Sequence, residues 1–417
     1  MRTIAALAAA CAAALAACGS KRVTPAAGDA RADDLAGWRA DLATIATEVP
    51  KRHPEPFHAT PEPTFRAAVA ELDRALPGLT DDQRLVGLAR IVALFADAHT
   101  QLDLGPYARV LTYPLTVYWF SDGLFVVDAP EANRWAIGAR VVTLGGKPID
   151  DAIAALSSTV GYQADGWRRA QVADRLSLPQ LVRGTGFAPA DGPAVFGLVD
   201  PGDPTGATRE LTAEPQPWRS AARTGPLPLY RQNPRSLYWQ RYLEPERTLY
   251  VQYNACAQAR DLSFADFTRQ VEDVLDHQPV LRLVVDLREN QGGNSAIMQP
   301  LLDAIAARPA LHGHVFALIG RHTFSSGLMN AIALAQQGAI TVGEPAGSPA
   351  NHDGEVQRLE LPARGLAVYH ATRRFAYDGL TGPAFAPDVD VELSSADYFA
   401  GKDPVLDAAL ARPRPDR

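Results

Sequence analysis

Two short loops in the carboxyl-terminal half of the chain carry residues suited to attack a carbonyl group. In the first loop, Gly320–Gly327, Ser325 stands just before an apolar helical pattern that runs to Gln337. The first turn of a helix offers unpaired backbone N–H groups, and the helix dipole there favours developing negative charge. Ser325 is therefore a candidate nucleophile, and the amide of Ser326 is a candidate donor to the oxyanion.

The second loop, Arg288–Asn294, contains the pair Gly292 and Gly293. A Gly-Gly step can bring another backbone N–H close to a reacting group, because no Cβ atom intervenes. Both glycines are therefore further candidates for an oxyanion hole. The alternative is that Ser325 is only a helix N-cap, the preferred use of serine at that position. Spacing alone favours the N-cap.

Three histidines are candidates for the base that would activate Ser325. They are His99, His322 and His352. The pKa of an imidazole lies near neutrality, which suits a general base. The chain has no G-x-S-x-G motif, which argues against an α/β-hydrolase. It also has no C-x-x-C pair and no H-E-x-x-H motif, so we predict neither a zinc site nor any cofactor.

Both loops belong to a segment, 246–412, that alternates between strand and helix patterns. Short links between such elements predict right-handed crossovers and a parallel sheet, whose catalytic groups collect beyond the carboxyl ends of the strands. The predicted strands are Thr248–Tyr253, Leu281–Leu287, His314–Ile319 and Ala339–Val342.

The preceding part of the chain divides into three regions. Residues 34–100 contain three apolar helical stripes, the first ending at Pro50 and the third opening with a capping box at Thr80–Gln83. Residues 101–160 change to short β-rich runs followed by one helix. Residues 161–245 are rich in glycine, proline and charged residues, and we expect them to be irregular with a strand or two.

The first 33 residues are typical of a targeting signal. Arg2 precedes a short alanine-rich apolar run that is too short to span a bilayer, and Leu15-Ala16-Ala17-Cys18 is similar to a bacterial lipobox. We therefore predict a signal peptide over 1–18, lipid attachment at Cys18 and a flexible tether over 19–33. The expected location is the cell envelope, on the periplasmic face of the outer membrane.

The net charge and the cysteine content limit the partners and the disulfide bonds that we expect. The formal net charge of −7 gives no reason to expect nucleic acid as a partner. After cleavage and lipidation Cys256 is the only free cysteine, so the mature monomer has no internal disulfide, and we expect Cys256 to be buried.

Several motifs together resemble one protease family. The segment Val284–Arg288, followed by Asn290 and the glycine pair, looks like the signature strand and loop of tail-specific (carboxyl-terminal-processing) proteases, and Thr323–Ser326 matches the nucleophile segment of their tricorn-like relatives. The resemblance implies an α/β fold in which a crotonase-like (ClpP/crotonase) parallel-sheet domain follows a helical domain and, over 101–160, a PDZ-like module. It also implies peptide-bond hydrolysis through an acyl-enzyme.

The same resemblance implies roles for the candidate residues. Bacterial tail-specific proteases use a lysine about two dozen residues after the serine, and Gly343–His352 contains none. The tricorn-like branch uses a histidine at the position of His99, which we rank above His322 and His352. That branch has a glutamate shortly before a Pro-Asp marker, where this chain has Asp378. Asp378 is therefore the expected orienting acid, and Glu355 is a weaker alternative.

Three functions follow from this interpretation. The leading one is a serine endopeptidase acting on exported or cell-envelope polypeptides, held at the membrane by its lipid. The second is a catalytically degenerate lipoprotein that binds peptide ends, because the family glutamate is missing and a PDZ-like module can add a peptide as a strand. The sequence is equally compatible with a β-rich connecting domain whose groove is too shallow to take a peptide. The third is an esterase, since the same serine chemistry cleaves small acyl groups.

Overall fold

The computed structural model describes residues 35–108, 111–221, 225 and 227–412. The predicted signal peptide, the lipidation site Cys18 and the tether 19–33 lie outside the described residues. Within the described part of the chain, no helix is both long and apolar enough to span a membrane.

Three helices form the front of the molecule. The Thr80–Gln83 capping box at the start of the third helix is confirmed. The first helix continues two residues beyond Pro50, although a proline at this position cannot donate the helical hydrogen bond to the carbonyl four residues earlier. The elements are α1 (Leu35–Arg52), α2 (Glu62–Ala75), α3 (Asp81–Ala93), β1 (Gln101–Leu102) and α4 (Gly105–Ala108).

A mostly antiparallel sheet follows, with strand order β2-β3-β4-β6-β7 and a short β5 on β4. Its last two strands come from the segment 161–245, which also contains two helices and is more regular than we expected. Helix α6 has many charged residues, but one of its faces, which includes Trp167, is buried. The elements are β2 (Thr116–Phe120), β3 (Gly123–Asp128), β4 (Arg140–Leu144), β5 (Lys147–Pro148), α5 (Ile149–Ser157), α6 (Asp165–Arg175), α7 (Pro179–Gly184), β6 (Ala194–Val199) and β7 (Thr208–Ala213).

The predicted parallel sheet is confirmed in the carboxyl-terminal part. Its order is β17-β12-β11-β10-β9-β8, and only the edge strand β8 is antiparallel to its neighbour. The elements are β8 (Tyr238–Leu243), β9 (Thr248–Tyr253), α8 (Phe264–His277), β10 (Arg282–Asp286), α9 (Gln299–Ala306), β11 (Val315–Ile319), α10 (Ser326–Gln336), β12 (Ile340–Gly343), β13 (His352–Gly354), β14 (Gln357–Glu360), β15 (Ala367–His370), β16 (Arg373–Phe375), β17 (Val389–Asp390), α11 (Ser395–Phe399) and α12 (Pro404–Ala411).

Strand pairing joins the front helices to the carboxyl-terminal part. Strand β1 pairs antiparallel with β15, with Gln101 opposite Tyr369. Strand β13 pairs with β16, with His352 opposite Phe375. The turn that carries His99 is therefore anchored to chain that lies downstream of Ser325.

A buried guanidinium holds the end of β10. Arg288 forms ion pairs with Asp286 at 2.6 Å and with Asp403 at 2.7 Å, and all three side chains are at most 10% exposed. Because Asp403 also caps α12, this cluster ties the last helix to the strand that leads into the Gly292 loop.

Candidate active site

Ser325 adopts a backbone conformation that is rare for a residue with a side chain. Its φ is 50° and its ψ is −129°, directly before α10. Its side chain forms no capping hydrogen bond, which disfavours the N-cap interpretation. Such a conformation costs about 1–3 kcal/mol and persists only where the surroundings enforce it. The result is a half-buried hydroxyl that is not used to stabilise the helix.

The surroundings that enforce this turn are hydrogen bonds between the two loops. The amide of Phe324 donates to the Asn290 carbonyl at 3.0 Å. The Thr323 hydroxyl donates to the Leu287 carbonyl at 2.8 Å. The side-chain amide of Asn290 in turn donates to the Tyr253 carbonyl. The buried thiol of Cys256, as expected a small core residue, lies 3.4 Å from the Asn290 side chain.

Gly292 lies directly against the serine. Its φ is 109°, and a Cβ atom there would lie 2.8 Å from Ser325 Cβ and 2.9 Å from the Ser326 nitrogen. Only glycine permits this approach. However, the Gly292 N–H donates to the Asn290 Oδ1 at 2.9 Å, so this predicted oxyanion donor is already occupied.

The amides of Ser326 and Gly293 remain as donors. Neither forms a hydrogen bond to another protein group in the part of the chain that the structure describes. The two residues are linked, because the Ser326 hydroxyl donates to the Gly293 carbonyl at 2.7 Å. Two of the three predicted oxyanion residues therefore have backbone N–H groups that the described part of the protein does not use.

His99 reaches the serine loop through a stack of aromatic rings. Its buried imidazole lies 4.2 Å from the Phe324 ring, centroid to centroid, with 22° between the planes. Phe324 is the residue before Ser325, and its other face stacks on Trp167 at 4.1 Å. His352 lies on the far side of His99 at 5.4 Å, and Phe375 follows His352 at the same spacing. The structure therefore brings His99 to the turn of the predicted nucleophile.

Ser325 and His99 are not joined by a hydrogen bond in this conformation. His99 Nε2 is buried and has no hydrogen-bond partner among the described residues, and Ser325 Oγ forms no hydrogen bond to it. A buried ring nitrogen without a partner is costly unless another group can reach it.

Asp97 is the carboxylate beside His99. Its Oδ1 accepts the backbone N–H of His99 at 3.0 Å and lies 3.8 Å from His99 Nδ1, beyond hydrogen-bond length. Its Oδ2 accepts the Thr100 hydroxyl at 2.6 Å and lies 3.2 Å from His53 Nε2. Burial opposes the charge of Asp97, but hydrogen bonds from His53 and Thr100 and the attraction of His99 hold its pKa far below the usual range.

The two acids expected from the sequence lie elsewhere. Asp378 is exposed, on the loop after β16, and forms no hydrogen bond or ion pair with His99. Glu355 is also exposed and lies 3.5 Å from Arg373. In this structure neither Asp378 nor Glu355 forms a hydrogen bond or ion pair with His99, and the carboxylate beside the imidazole is that of Asp97. The signal in the sequence was the Asp-x-His spacing, which lets a carboxylate accept the amide two residues on.

The alternative bases occupy different environments. His322 Nδ1 lies 3.2 Å from Glu289 Oε2, so this pair joins the two loops. Burial disfavours the charged form of His322, yet Glu289 outweighs it and raises the pKa. The Nδ1–H of His352 donates to the Ala350 carbonyl, and burial together with the charge of His99 lowers the pKa of His352 to about 4. Neither ring hydrogen-bonds Ser325 in the described structure.

An open cavity of about 380 Å³ adjoins the His99 turn. Gln163 and Asn351 line it. The Gln163 side chain accepts the Ala98 amide, and Asn351 precedes His352. Arg374, with a side chain 41% exposed, lines another wall. Across the residues that the structure describes, no group of three or more His, Cys, Asp or Glu side chains is arranged to hold a metal ion.

Comparison with known proteins gives a structural likeness only. No family model matches the chain. A search of curated proteins found no match. Among solved structures, mature CPAF complexed with lactacystin superposes with a TM-score of 0.65 at 12% identity, over 90% of this chain and 98% of that one.

Two further structures extend this comparison. Mature CPAF has a TM-score of 0.64 at 14% identity, over 90% of this chain and 96% of that one. The photosystem II D1 C-terminal processing protease has a TM-score of 0.42 at 15% identity, over 88% of this chain and 98% of that one. The chain therefore shares the fold of CPAF over 90% of its length.

Proposed function

We propose that this protein is a serine-type peptidase of the tail-specific, tricorn-like kind, which cleaves polypeptides through an acyl-enzyme on Ser325. The observation that carries the proposal is the strained Ser325 turn, whose hydroxyl caps nothing, next to a glycine loop and with the amides of Ser326 and Gly293 unused in the described protein. A CPAF-like fold and the motif order in the sequence support it. The parallel sheet supports a crotonase-like catalytic domain, and the β2–β7 sheet with α5 is compatible with a PDZ-like module.

In the proposed reaction His99 Nε2 removes the proton from Ser325 Oγ as the oxygen attacks the peptide carbonyl. The amides of Ser326 and Gly293 stabilise the negative oxygen, and Asp97 stabilises the imidazolium. The imidazolium then protonates the leaving amine, and a water molecule releases the acyl group by the same steps in reverse. Catalytic hydrogen bonds are often long in free enzymes and tighten when substrate binds, so the open Ser325–His99 contact is compatible with this role.

The substrates we propose are exported or cell-envelope polypeptides. We also propose that the enzyme is anchored to the membrane through lipid on Cys18. The lipobox-like sequence supports this location. The cavity beside Gln163 and Asn351 is open enough to receive a side chain of an extended peptide.

A fluorophosphonate probe tests the activity, because it reacts with a serine only when a base and an oxyanion hole are in place. We expect the purified protein to be labelled, and Ser325→Ala and His99→Gln to abolish labelling. Ser295→Ala is the matched control, since Ser295 is another half-buried serine at a helical start, with no side-chain hydrogen bond in the described structure. Labelling that persists in Ser325→Ala, or none in folded wild type, contradicts the proposal.

A second candidate is a peptide-binding protein that does not cleave. It is favoured by the missing Ser325–His99 hydrogen bond and by the 3.8 Å separation of Asp97 and His99. Its signature is peptide binding that is equal in wild type and Ser325→Ala, with no product after long incubation. Product formation by wild type alone excludes it.

A further inference from the structure

His53 is a buried histidine that belongs to no motif considered in the sequence. It follows α1 directly, its side chain is inaccessible, and its Nε2 lies 3.2 Å from Asp97 Oδ2. Its ring stacks on Phe95, with centroids 5.8 Å apart. Buried histidines need partners for both ring nitrogens, and here both are identified.

The protonation of His53 follows from its second partner. The backbone N–H of Glu55 donates to His53 Nδ1 at 3.1 Å, so Nδ1 must present a lone pair. The proton of the neutral ring is therefore on Nε2, which donates to Asp97. This makes an ordered chain of hydrogen bonds from the Glu55 amide through His53 to the carboxylate beside His99.

We propose that His53 is a positioning residue for the proposed base: it fixes the Asp97 carboxylate, whose charge 3.8 Å from His99 Nδ1 favours the proton on Nδ1 and leaves the lone pair of Nε2 for Ser325. This inference rests on the proposed function for its catalytic consequence, but the tautomer of His99 can be measured without any activity. His53 acts through Asp97 and touches no substrate.

The charges around Asp97 explain why such a donor is needed. Asp353, on β13, is also fully buried, and burial together with the charge of Asp97 raises its pKa. Two carboxylates in one buried region do not both ionise readily. Arg374, on β16, compensates Asp353 at 3.4 Å, while His352 on β13 has a low pKa and stays neutral. His53 and Thr100 keep the negative charge on Asp97, next to His99.

Two substitutions separate the hydrogen bond that His53 donates to Asp97 from the packing of its ring. His53→Phe preserves the ring on Phe95 but removes the donor to Asp97. His53→Gln loses the ring but returns an N–H donor near the position of Nε2. His277→Phe is the control, because His277 is exposed on α8, away from these residues. Nitrogen-15 NMR of labelled histidines reports the His99 tautomer, and the fluorophosphonate rate reports reactivity.

We expect wild type to show a protonated Nδ1 at His99 and a protonated Nε2 at His53. His53→Phe should mix the His99 tautomers and lower the labelling rate about tenfold or more, and His53→Gln should restore both to within about threefold of wild type. The proposal is overturned if His53→Phe leaves the His99 tautomer unchanged, or if Gln restores nothing.

If His53→Phe does not fold, the spectra of wild type and of His53→Gln still test the proposed role of His53. A His53 proton on Nδ1, or a His99 proton on Nε2 in either protein, contradicts the proposed chain of hydrogen bonds. If wild type is not labelled at all, the peptidase proposal fails, while the tautomer measurements test His53 independently.

Discussion

The phenyl ring of Phe324 stacks on the imidazole of His99, with their centroids 4.2 Å apart. Phe324 thus connects two parts of the site, because it precedes the predicted nucleophile in the chain and packs on the predicted base. The five-ring stack from Trp167 to Phe375 therefore links the position of the imidazole to that of the serine turn.

Removing this ring should reduce reactivity more than stability. Phe324→Leu keeps most of the apolar volume but loses a stacking contact worth about 1 kcal/mol. We expect the fluorophosphonate rate to fall about tenfold. Phe375→Leu, at the other end of the stack, should cost less than threefold. Equal losses in both variants would show that the stack contributes only general packing.

Replacing Asp97 should abolish most turnover. Asp97→Asn removes the charge that stabilises the imidazolium, and loss of an orienting carboxylate costs about 10⁴-fold in a serine protease triad. Peptidase rates and probe labelling measure this directly. Asp378→Asn and Glu355→Gln are the controls, and both should keep wild-type rates because both carboxylates are exposed. A large loss in Asp378→Asn would instead restore Asp378 as the acid.

Adding one carbon at Gly292 should block the nucleophile. In Gly292→Ala the new Cβ would lie 2.8 Å from Ser325 Cβ, at a φ unfavourable to alanine. We expect labelling to fall more than about 100-fold, as when an oxyanion donor is lost, and stability to fall by about 1–3 kcal/mol. Gly365→Ala is the matched control, since its φ is also positive but no atom lies within 4 Å. Urea denaturation of both variants separates strain from displacement of the serine.

The low pKa of His352 predicts a loss of stability in mild acid. The unfolded chain takes up a proton near pH 6.5, whereas the folded chain resists until about pH 4, so stability falls as pH drops between these values. The contribution is roughly 3 kcal/mol at most. Denaturation at pH 7 and pH 4.5 measures it.

His352→Phe keeps a ring in the stack and should flatten this pH dependence. His312→Phe, on an exposed histidine, should leave it unchanged. An unaltered pH dependence in His352→Phe would contradict the assigned protonation.

Breaking the buried ion-pair cluster should destabilise the sheet. Arg288→Leu leaves Asp286 and Asp403 buried without their partner, and such a loss costs about 3–5 kcal/mol. Arg269→Leu, which removes an exposed pair with Asp266, should cost less than about 1 kcal/mol. Thermal and urea unfolding compare the two.

The sequence predicted the parallel sheet well, because the apolar runs of β9, β10 and β11 are nearly continuous and their flanking helices have clear stripes. It also located the serine turn. It did not predict the ring stack, which depends on contacts between residues far apart in the chain, and we overlooked the Asp97-x-His99 spacing, which was visible in the sequence. Asp378 was selected by resemblance to a family pattern, and resemblance cannot show where a loop lies. A strand or two was expected in 161–245, but β6 and β7 were not located because charged and glycine residues surround them.

The pairing of β1 with β15 has a further consequence for when the chain becomes reactive. During synthesis the His99 turn emerges long before the serine loop and the strand that anchors it. A chain that lacks β15, or whose front helices have not docked, therefore does not hold the His99 imidazole beside the serine loop. For the proposed peptidase, cleavage of any neighbouring chain would thus require that the tertiary structure is fully assembled.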